Sequence, residues 1–167
     1  LTEIANSELL QNRFSVLSDA ARHVASPQIR NVSSIGGNVC QDTRCWYYRD
    51  GLDCYRAGGT KCYADIPEGM NREHCLFEAD RCVAVSPSDT APALVALDAV
   101  FTVAGPTGTR SVPSAEFFIG PAVDIERMTV LEPGEILTTI AIPNTFSNPT
   151  PKIIRLIIVY CRTYIIQ

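Results

Sequence analysis

The sequence predicts an α+β fold, a mixed or antiparallel sheet with helices packed on it. Three observations predict it. Apolar residues recur at helical spacing near the start of the chain. Short β-prone runs, punctuated by glycine and proline turns, gather in the second half. Between them lies an irregular stretch holding six of the seven cysteines, from Cys40 to Cys82.

Size and composition bound the answer. A chain of 167 residues suits one domain with a real core. The 46% hydrophobic and 19% charged content is that of an ordinary globular protein. A net charge of −4 without blocks of like charge gives no electrostatic reason to expect nucleic acid. No apolar run is long enough for a transmembrane helix. The opening Leu1-Thr2-Glu3-Ile4-Ala5 has neither the basic nor the apolar region of a signal peptide. With an odd number of cysteines, this reads as a reducing, cytoplasmic setting with thiols free for a metal. The opening without Met, inside a helical pattern, reads as a fragment.

Residues 2 to 24 are expected to be helical. Thr2 caps a short helix, Glu3 to Leu10, broken near Asn12. Leu10, Phe14, Leu17, Ala21 and Val24 then form one apolar stripe. His23 has no second His or carboxylate at ligand spacing and reads as a surface residue. Pro27 interrupts the helix, and Gln28 to Val32 leads into a glycine turn.

Ser34-Ile35-Gly36-Gly37-Asn38 is the first candidate site. Two glycines let the backbone approach a ligand without a Cβ in the way. A hydroxyl before them and an amide after them add donors to the exposed N–H groups. Such a nest suits phosphate or ribityl oxygens. The bland alternative is a plain turn.

The cysteine stretch is the second candidate. The intervals from Cys40 through Cys45, Cys54, Cys62, Cys75 and Cys82 are five, nine, eight, thirteen and seven. No Cys-x-x-Cys knuckle appears, which argues against a zinc ribbon. An aperiodic stretch of about 40 residues is too long for an ordinary loop. A cluster with four thiolate ligands would offset the entropy of ordering it. A flexible insertion with free thiols is the alternative. Arg44, Arg49 and Arg56 would balance cluster charge, and Trp46, Tyr47 and Tyr48 would exclude water.

Further along, Val83 to Val85 reads as a short strand. Ser88 or Asp89 caps a helix, Thr90 to Leu97, with Pro92 in its first turn. Val100 to Ala104 and Thr109 to Val112 form a hairpin across Gly105-Pro106-Thr107-Gly108. Ser114 to Phe118 is a short helix. Leu131 to Glu135 turns into the strand Ile136 to Ile142. Residues 145–167 are set apart. Ile153 to Tyr160 is β-prone with little alternation, which fits a buried strand or an aberrant tail, and Cys161 is taken as a bystander.

Four motifs, in this order, carry a resemblance: Ser26-Pro27-Gln28-Ile29-Arg30-Asn31, Ser34-Ile35-Gly36-Gly37-Asn38, Ser88-Asp89 with Ala91-Pro92-Ala93-Leu94, and Leu131-Glu132-Pro133-Gly134-Glu135-Ile136-Leu137. Through them residues 1–144 resemble the FAD-binding medium subunit of the xanthine dehydrogenase family of molybdenum hydroxylases, with a PCMH-type FAD-binding domain. Cys40-Gln41-Asp42-Thr43-Arg44-Cys45-Trp46-Tyr47-Tyr48 is most similar to the β subunit of 4-hydroxybenzoyl-CoA reductase and its aldehyde-oxidoreductase relatives. Those carry an insertion with an extra 4Fe–4S cluster.

The resemblance implies that Ser34, Ile35, Gly36, Gly37 and Asn38 wrap the FAD pyrophosphate and ribityl chain. It implies that Gln41 touches the same cofactor, that Asp89 accepts hydrogen bonds from it, and that Leu137 packs near the isoalloxazine. Val24 is a further apolar wall candidate. The implied cluster ligands are Cys45, Cys54, Cys62 and Cys82. The Cys45–Cys54 gap is shorter than in the reductase and the Cys62–Cys82 gap longer, so Cys75 competes for the fourth place.

The implied function is electron transfer, with no catalytic acid or base in this chain. The implied partners are a molybdopterin-binding large subunit, a small subunit with 2Fe–2S clusters, and an external electron donor or acceptor. The family's first flavin subdomain has no counterpart here. Residues 1–144 are therefore expected to be the C-terminal subdomain of the flavin site, binding FAD weakly or not at all alone. The alternatives are a docking domain with a vestigial flavin site and a metal-stapled loop, and a zinc-stapled binding module.

Overall fold

The computed structural model describes residues 1–77 and 79–144. The tail set apart above, with Cys161, lies outside the described residues.

Helices dominate the first part of the chain. The first helix, expected from Glu3 to Leu10, is divided at Ser7 into α1 (Thr2–Asn6) and α2 (Glu8–Arg13), and α3 (Ser15–His23) follows the break expected near Asn12. The break falls at Phe14, whose backbone leaves helical geometry (φ −140°, ψ 50°) while its ring enters the core. The apolar stripe is otherwise as expected: Phe14, Leu17, Ala21 and Val24 are all buried. Ser7 caps α2 through its side-chain oxygen.

Two further helices stand where turns were expected. The first, α4 (Pro27–Val32), has Ser26 as N-cap and proline in its first turn. The proline expected to interrupt the helix instead starts α4, and α3 ends before it at its C-cap, Val24. The second, α5 (Ile35–Val39), includes both glycines despite their poor helix propensity. Two things hold it: Ser34 Oγ accepts from the Gly37 N–H at 2.9 Å, and Val39 is fully buried in the core.

The sheet is small and antiparallel, in the order β2–β1–β3. The hairpin of β1 (Val100–Gly105) and β2 (Gly108–Pro113) has the expected turn, with Gly105 opposite Gly108. The third strand, β3 (Ile136–Ala141), pairs with the other edge of β1. A bulge between Thr102 and Val103 shifts that register, and the Thr138 hydroxyl bonds the Thr102 carbonyl there.

The helices cover one face of the sheet. α7 (Ala91–Ala96) and α8 (Ser114–Phe117) pack with α3 and α5 around Leu17, Val39, Leu94, Leu97, Phe101, Val103 and Phe117. Phe101 meets Phe117 edge-on, with ring centres 4.7 Å apart. Each such side chain contributes about 1.5–3 kcal/mol by leaving water.

Among its described residues the cysteine stretch is irregular, with only α6 (Trp46–Arg49) and a 3-10 turn at Tyr55–Ala57. It is nonetheless tied down. A Cβ at Gly59 would collide with the Asp53 carbonyl, so only glycine fits that close approach. Arg56, 5% exposed, pairs with Asp42, bonds the Ile125 carbonyl at 2.8 Å and lies over the Tyr48 ring. The expected strand at residues 83–85 is absent. Val83 and Ala84 are buried, and the Val83 carbonyl accepts from the Cys75 N–H at 2.9 Å.

Candidate functional site

An open cleft of about 1210 Å³ runs between the α3–α5 region, the cysteine stretch and the loop before α7. Of the residues expected to meet a cofactor, Ser34, Gly37, Asn38, Gln41 and Asp89 line it, and so does Val24. Ile35, Gly36 and Leu137 do not. The Ile35 side chain packs on both apolar clusters, and Leu137 packs on the main core from β3.

The expected nest is a capped helix start instead. Its Gly37 N–H is already used by Ser34 Oγ. Ile35 and Gly36 occupy the first turn, where amides have no acceptor within the helix. The two glycines have φ outside the left-handed region, and a Cβ on Gly37 would meet only Ser34 Oγ, at 3.2 Å. The fold therefore does not force glycine here.

Asn38 faces inward. It is 8% exposed, and its Oδ1 accepts from Ser88 Oγ and Thr90 Oγ1 at 2.8 and 2.6 Å. Its role is to join α5 to the loop that carries Asp89. Gln41 reinforces that joint: its Nε2 donates to the Asn38 and Pro87 carbonyls. Thr90 holds the N-cap position of α7 without a side-chain cap bond, and the first helical amide, Ala91 N–H, donates to Ser88 Oγ at 3.1 Å. The half-buried Asp89 lines the cleft.

Beside the cleft is a second pocket. Cys45, Cys54, Cys62 and Cys82 all line it, and Cys75 does not. Arg56, Arg81, Tyr47, Tyr48, Tyr55, Tyr63 and His74 complete most of its wall. Arg44, Arg49 and Trp46 were expected here but line the cleft. Trp46 is 60% exposed and donates to Glu73. Burial pushes the Cys45 and Cys82 thiols up, and neighbouring cysteines push the same way. Arg56 partly offsets this at Cys82. A metal binding there would displace the thiol protons.

The donor set fits an iron–sulfur cluster in chemistry: four soft sulfurs around one pocket, with cations in its wall. The free volume is about 10 Å³, room for one water, so the side chains would have to turn outward to seat a cluster. Among the described residues no three His, Cys, Asp or Glu side chains converge to hold a single metal ion. A zinc staple, which needs Zn–S contacts of about 2.3 Å, is the poorer fit.

Sequence reasoning missed His74. It is 4% exposed, and neither ring nitrogen has a partner of good hydrogen-bond geometry. Burial lowers its pKa, against weaker opposing pulls from the Asn71 carbonyl and Glu73. Arg56 Nε is likewise buried and unpartnered. Periodicity gives no signal for a histidine in an aperiodic loop.

Cys45 and Tyr47 line both the cleft and the thiol pocket, so the two sites share a wall. Among the described residues no helix is long and apolar enough to cross a membrane.

The chain is 37% identical over 146 residues to the aldehyde oxidoreductase FAD-binding subunit PaoB of Escherichia coli (strain K12), covering 85% of this chain and 45% of that protein. It is 28% identical over 142 residues to the carbon monoxide dehydrogenase medium chain of Hydrogenophaga pseudoflava, covering 84% of this chain and 33% of that protein. It thus spans less than half the length of these curated relatives. In fold it is similar to the reconstituted CO dehydrogenase from Oligotropha carboxidovorans, with a TM-score of 0.53 at 21% identity over 89% of this chain and 35% of that one. Residues 1–145 match the family described as the FAD binding domain in molybdopterin dehydrogenase, and the chain belongs to that family.

Proposed function

We propose that this chain is part of the FAD-binding, electron-transfer subunit of a molybdenum hydroxylase-type oxidoreductase complex. In this reading FAD lies along the cleft, and Cys45, Cys54, Cys62 and Cys82 hold a 4Fe–4S cluster beside it. The observation that carries the reading is the wall shared by the two sites, at Cys45 and Tyr47. Electron transfer needs its two centres close together, and a common wall provides that.

The bound groups would supply the redox chemistry, and the chain supplies position and electrostatics. Ser34 fixes the first turn of α5. Gly37 leaves room for close approach. Asn38 and Gln41 hold the loop of Asp89 against α5, so that Asp89 lines the cleft. Arg56 and Arg81 offset thiolate charge. Tyr47, Tyr48 and Tyr63 limit water at the sulfurs. Substrate conversion belongs to a molybdopterin-binding large subunit, and a 2Fe–2S small subunit and an external donor or acceptor complete the electron path. The matches to subunits named for aldehyde oxidoreductase and carbon monoxide dehydrogenase support this division of labour.

The test is iron, acid-labile sulfide and flavin per chain in the anaerobically purified complex. About four iron and four sulfide, lost on Cys62→Ser, is the expected result. Zinc, or no metal in a folded chain, would overturn the cluster. No bound flavin in the intact complex would overturn the flavoprotein reading itself.

A further inference from the structure

Buried polar groups in folded proteins are nearly always partnered. Four buried side-chain atoms among the described residues are not: Arg56 Nε, His74 Nδ1, His74 Nε2 and Ser86 Oγ. Three of the four belong to just two residues, and both residues line the thiol pocket. Such clustering points to an acceptor inside the pocket. The acceptor atoms among the side chains that line it are the sulfurs of Cys45, Cys54, Cys62 and Cys82 and the phenol oxygens of Tyr47, Tyr48, Tyr55 and Tyr63.

His74 is held for such a contact. Its backbone N–H bonds the Asn71 carbonyl at 3.0 Å, and the next residue, Cys75, bonds the Val83 carbonyl at 2.9 Å. The first bond closes the turn, and the second ties it to the segment that carries Cys82. The imidazole is 4% exposed, so bulk water does not reach its nitrogens. A neutral imidazole carries one N–H donor. Four cysteines already complete the ligand set of a four-iron cluster, which leaves His74 the part of donor rather than ligand.

We propose that His74 is a positioning residue that donates a hydrogen bond to a sulfur of the cluster held by Cys45, Cys54, Cys62 and Cys82, and so raises its reduction potential. The proposal rests on the cluster reading above. The direction follows from charge. Reduction adds an electron to an already negative group, and an N–H aimed at its sulfur stabilises the reduced form more than the oxidised one. Hydrogen bonds to the sulfurs are among the determinants of these potentials.

The experiment compares His74→Leu and His74→Gln with the unaltered protein, all as anaerobically purified complex. The readouts are iron and sulfide content and a redox titration followed by EPR. Removing the donor should shift the reduction equilibrium about tenfold toward the oxidised form, ~59 mV for one electron. His74→Gln, which keeps an N–H, should recover part of that shift. Equal potentials in the unaltered protein and His74→Leu, with iron retained, would overturn the proposal. Loss of iron from both variants would also overturn it, by making His74 a ligand or a packing residue. Should only His74→Leu lose iron, ¹⁵N-histidine labelling of the unaltered protein decides. Weak nitrogen coupling to the cluster spin supports a hydrogen bond, and strong coupling or none rejects it. Absence of iron and sulfide from the unaltered protein is a different failure, that of the cluster reading itself.

Discussion

Asn38 Oδ1 lies 2.6 Å from Thr90 Oγ1, and it also accepts from the Thr90 N–H at 3.3 Å and from Ser88 Oγ at 2.8 Å. One buried carbonyl thus gathers three donors from the loop that carries Asp89. Asn38→Leu, of similar size, strands all three. Each unsatisfied buried group costs about 1–3 kcal/mol, and the three share one site, so the loss should be about 3 kcal/mol in urea unfolding. A change below about 0.5 kcal/mol, the range of an ordinary surface substitution, would show the joint to be dispensable.

This joint also shows how far the sequence could be read. The stripe Phe14, Leu17, Ala21, Val24 and the hairpin at Gly105 to Gly108 were legible, because burial on one face leaves a periodic trace. The helices at Pro27–Val32 and Ile35–Val39 were not. Each is under two turns, and tertiary contacts at Val39 and Asn38 override two glycines. Ser34, Gly37, Asn38, Gln41 and Asp89 were picked out by motif and line the cleft, whereas Ile35, Gly36 and Leu137 do not, and the inward aim of Asn38 depends on Ser88 and Thr90, some 50 residues away. Val83 and Val85 suggested a strand by composition alone, and no neighbouring strand pairs with them among the described residues.

Gly37 separates ligand binding from folding. It is exposed in the cleft, and an added Cβ would meet only the capping Ser34 Oγ, at 3.2 Å. Alanine favours a helix over glycine by roughly 0.5–1 kcal/mol. Gly37→Ala should therefore keep or slightly raise the thermal midpoint, while flavin content of the intact complex falls. Full flavin retention in both Gly37→Ala and the bulkier Gly37→Val would show that no ligand approaches α5 closely.

Cys75 and Cys82 were rivals for the fourth ligand place. Cys82 lines the thiol pocket and is 7% exposed, whereas Cys75 does not line it. Cys82→Ser should strip most iron from the purified complex, and Cys75→Ser should leave it near the unaltered level. The reverse pattern would move the ligand to Cys75.

The pair of Arg56 and Asp42 is asymmetric: the arginine side chain is 3% exposed and the aspartate 52%. Asp42→Asn leaves a buried guanidinium without its countercharge. Arg56→Met removes the buried charge and lets Asp42 hydrate. The first should cost more, about 2–3 kcal/mol, below the ~3–5 of a fully buried pair because Asp42 meets water. Thermal unfolding of both variants checks the order, and equal or reversed losses would place the stabilisation in Arg56 packing against Tyr48 instead.

Glu135 gives the acid limb of stability. Its carboxyl is held at about 2 rather than 4.5, first by hydrogen bonds from Arg110 and then by the Glu132 N–H. The folded chain thus binds this proton less readily than the unfolded one. The stabilisation is complete above about 4.5 and is lost as the pH falls toward 2. Arg110→Met removes the largest cause of the depression, so unfolding midpoints between those values should fall less steeply with acid than in the unaltered chain. The difference should shrink in high salt, because Arg110 is 42% exposed and open to screening. Parallel acid limbs for the two proteins at low salt would mean that Glu135 keeps its low pKa without Arg110, through the Glu132 amide alone.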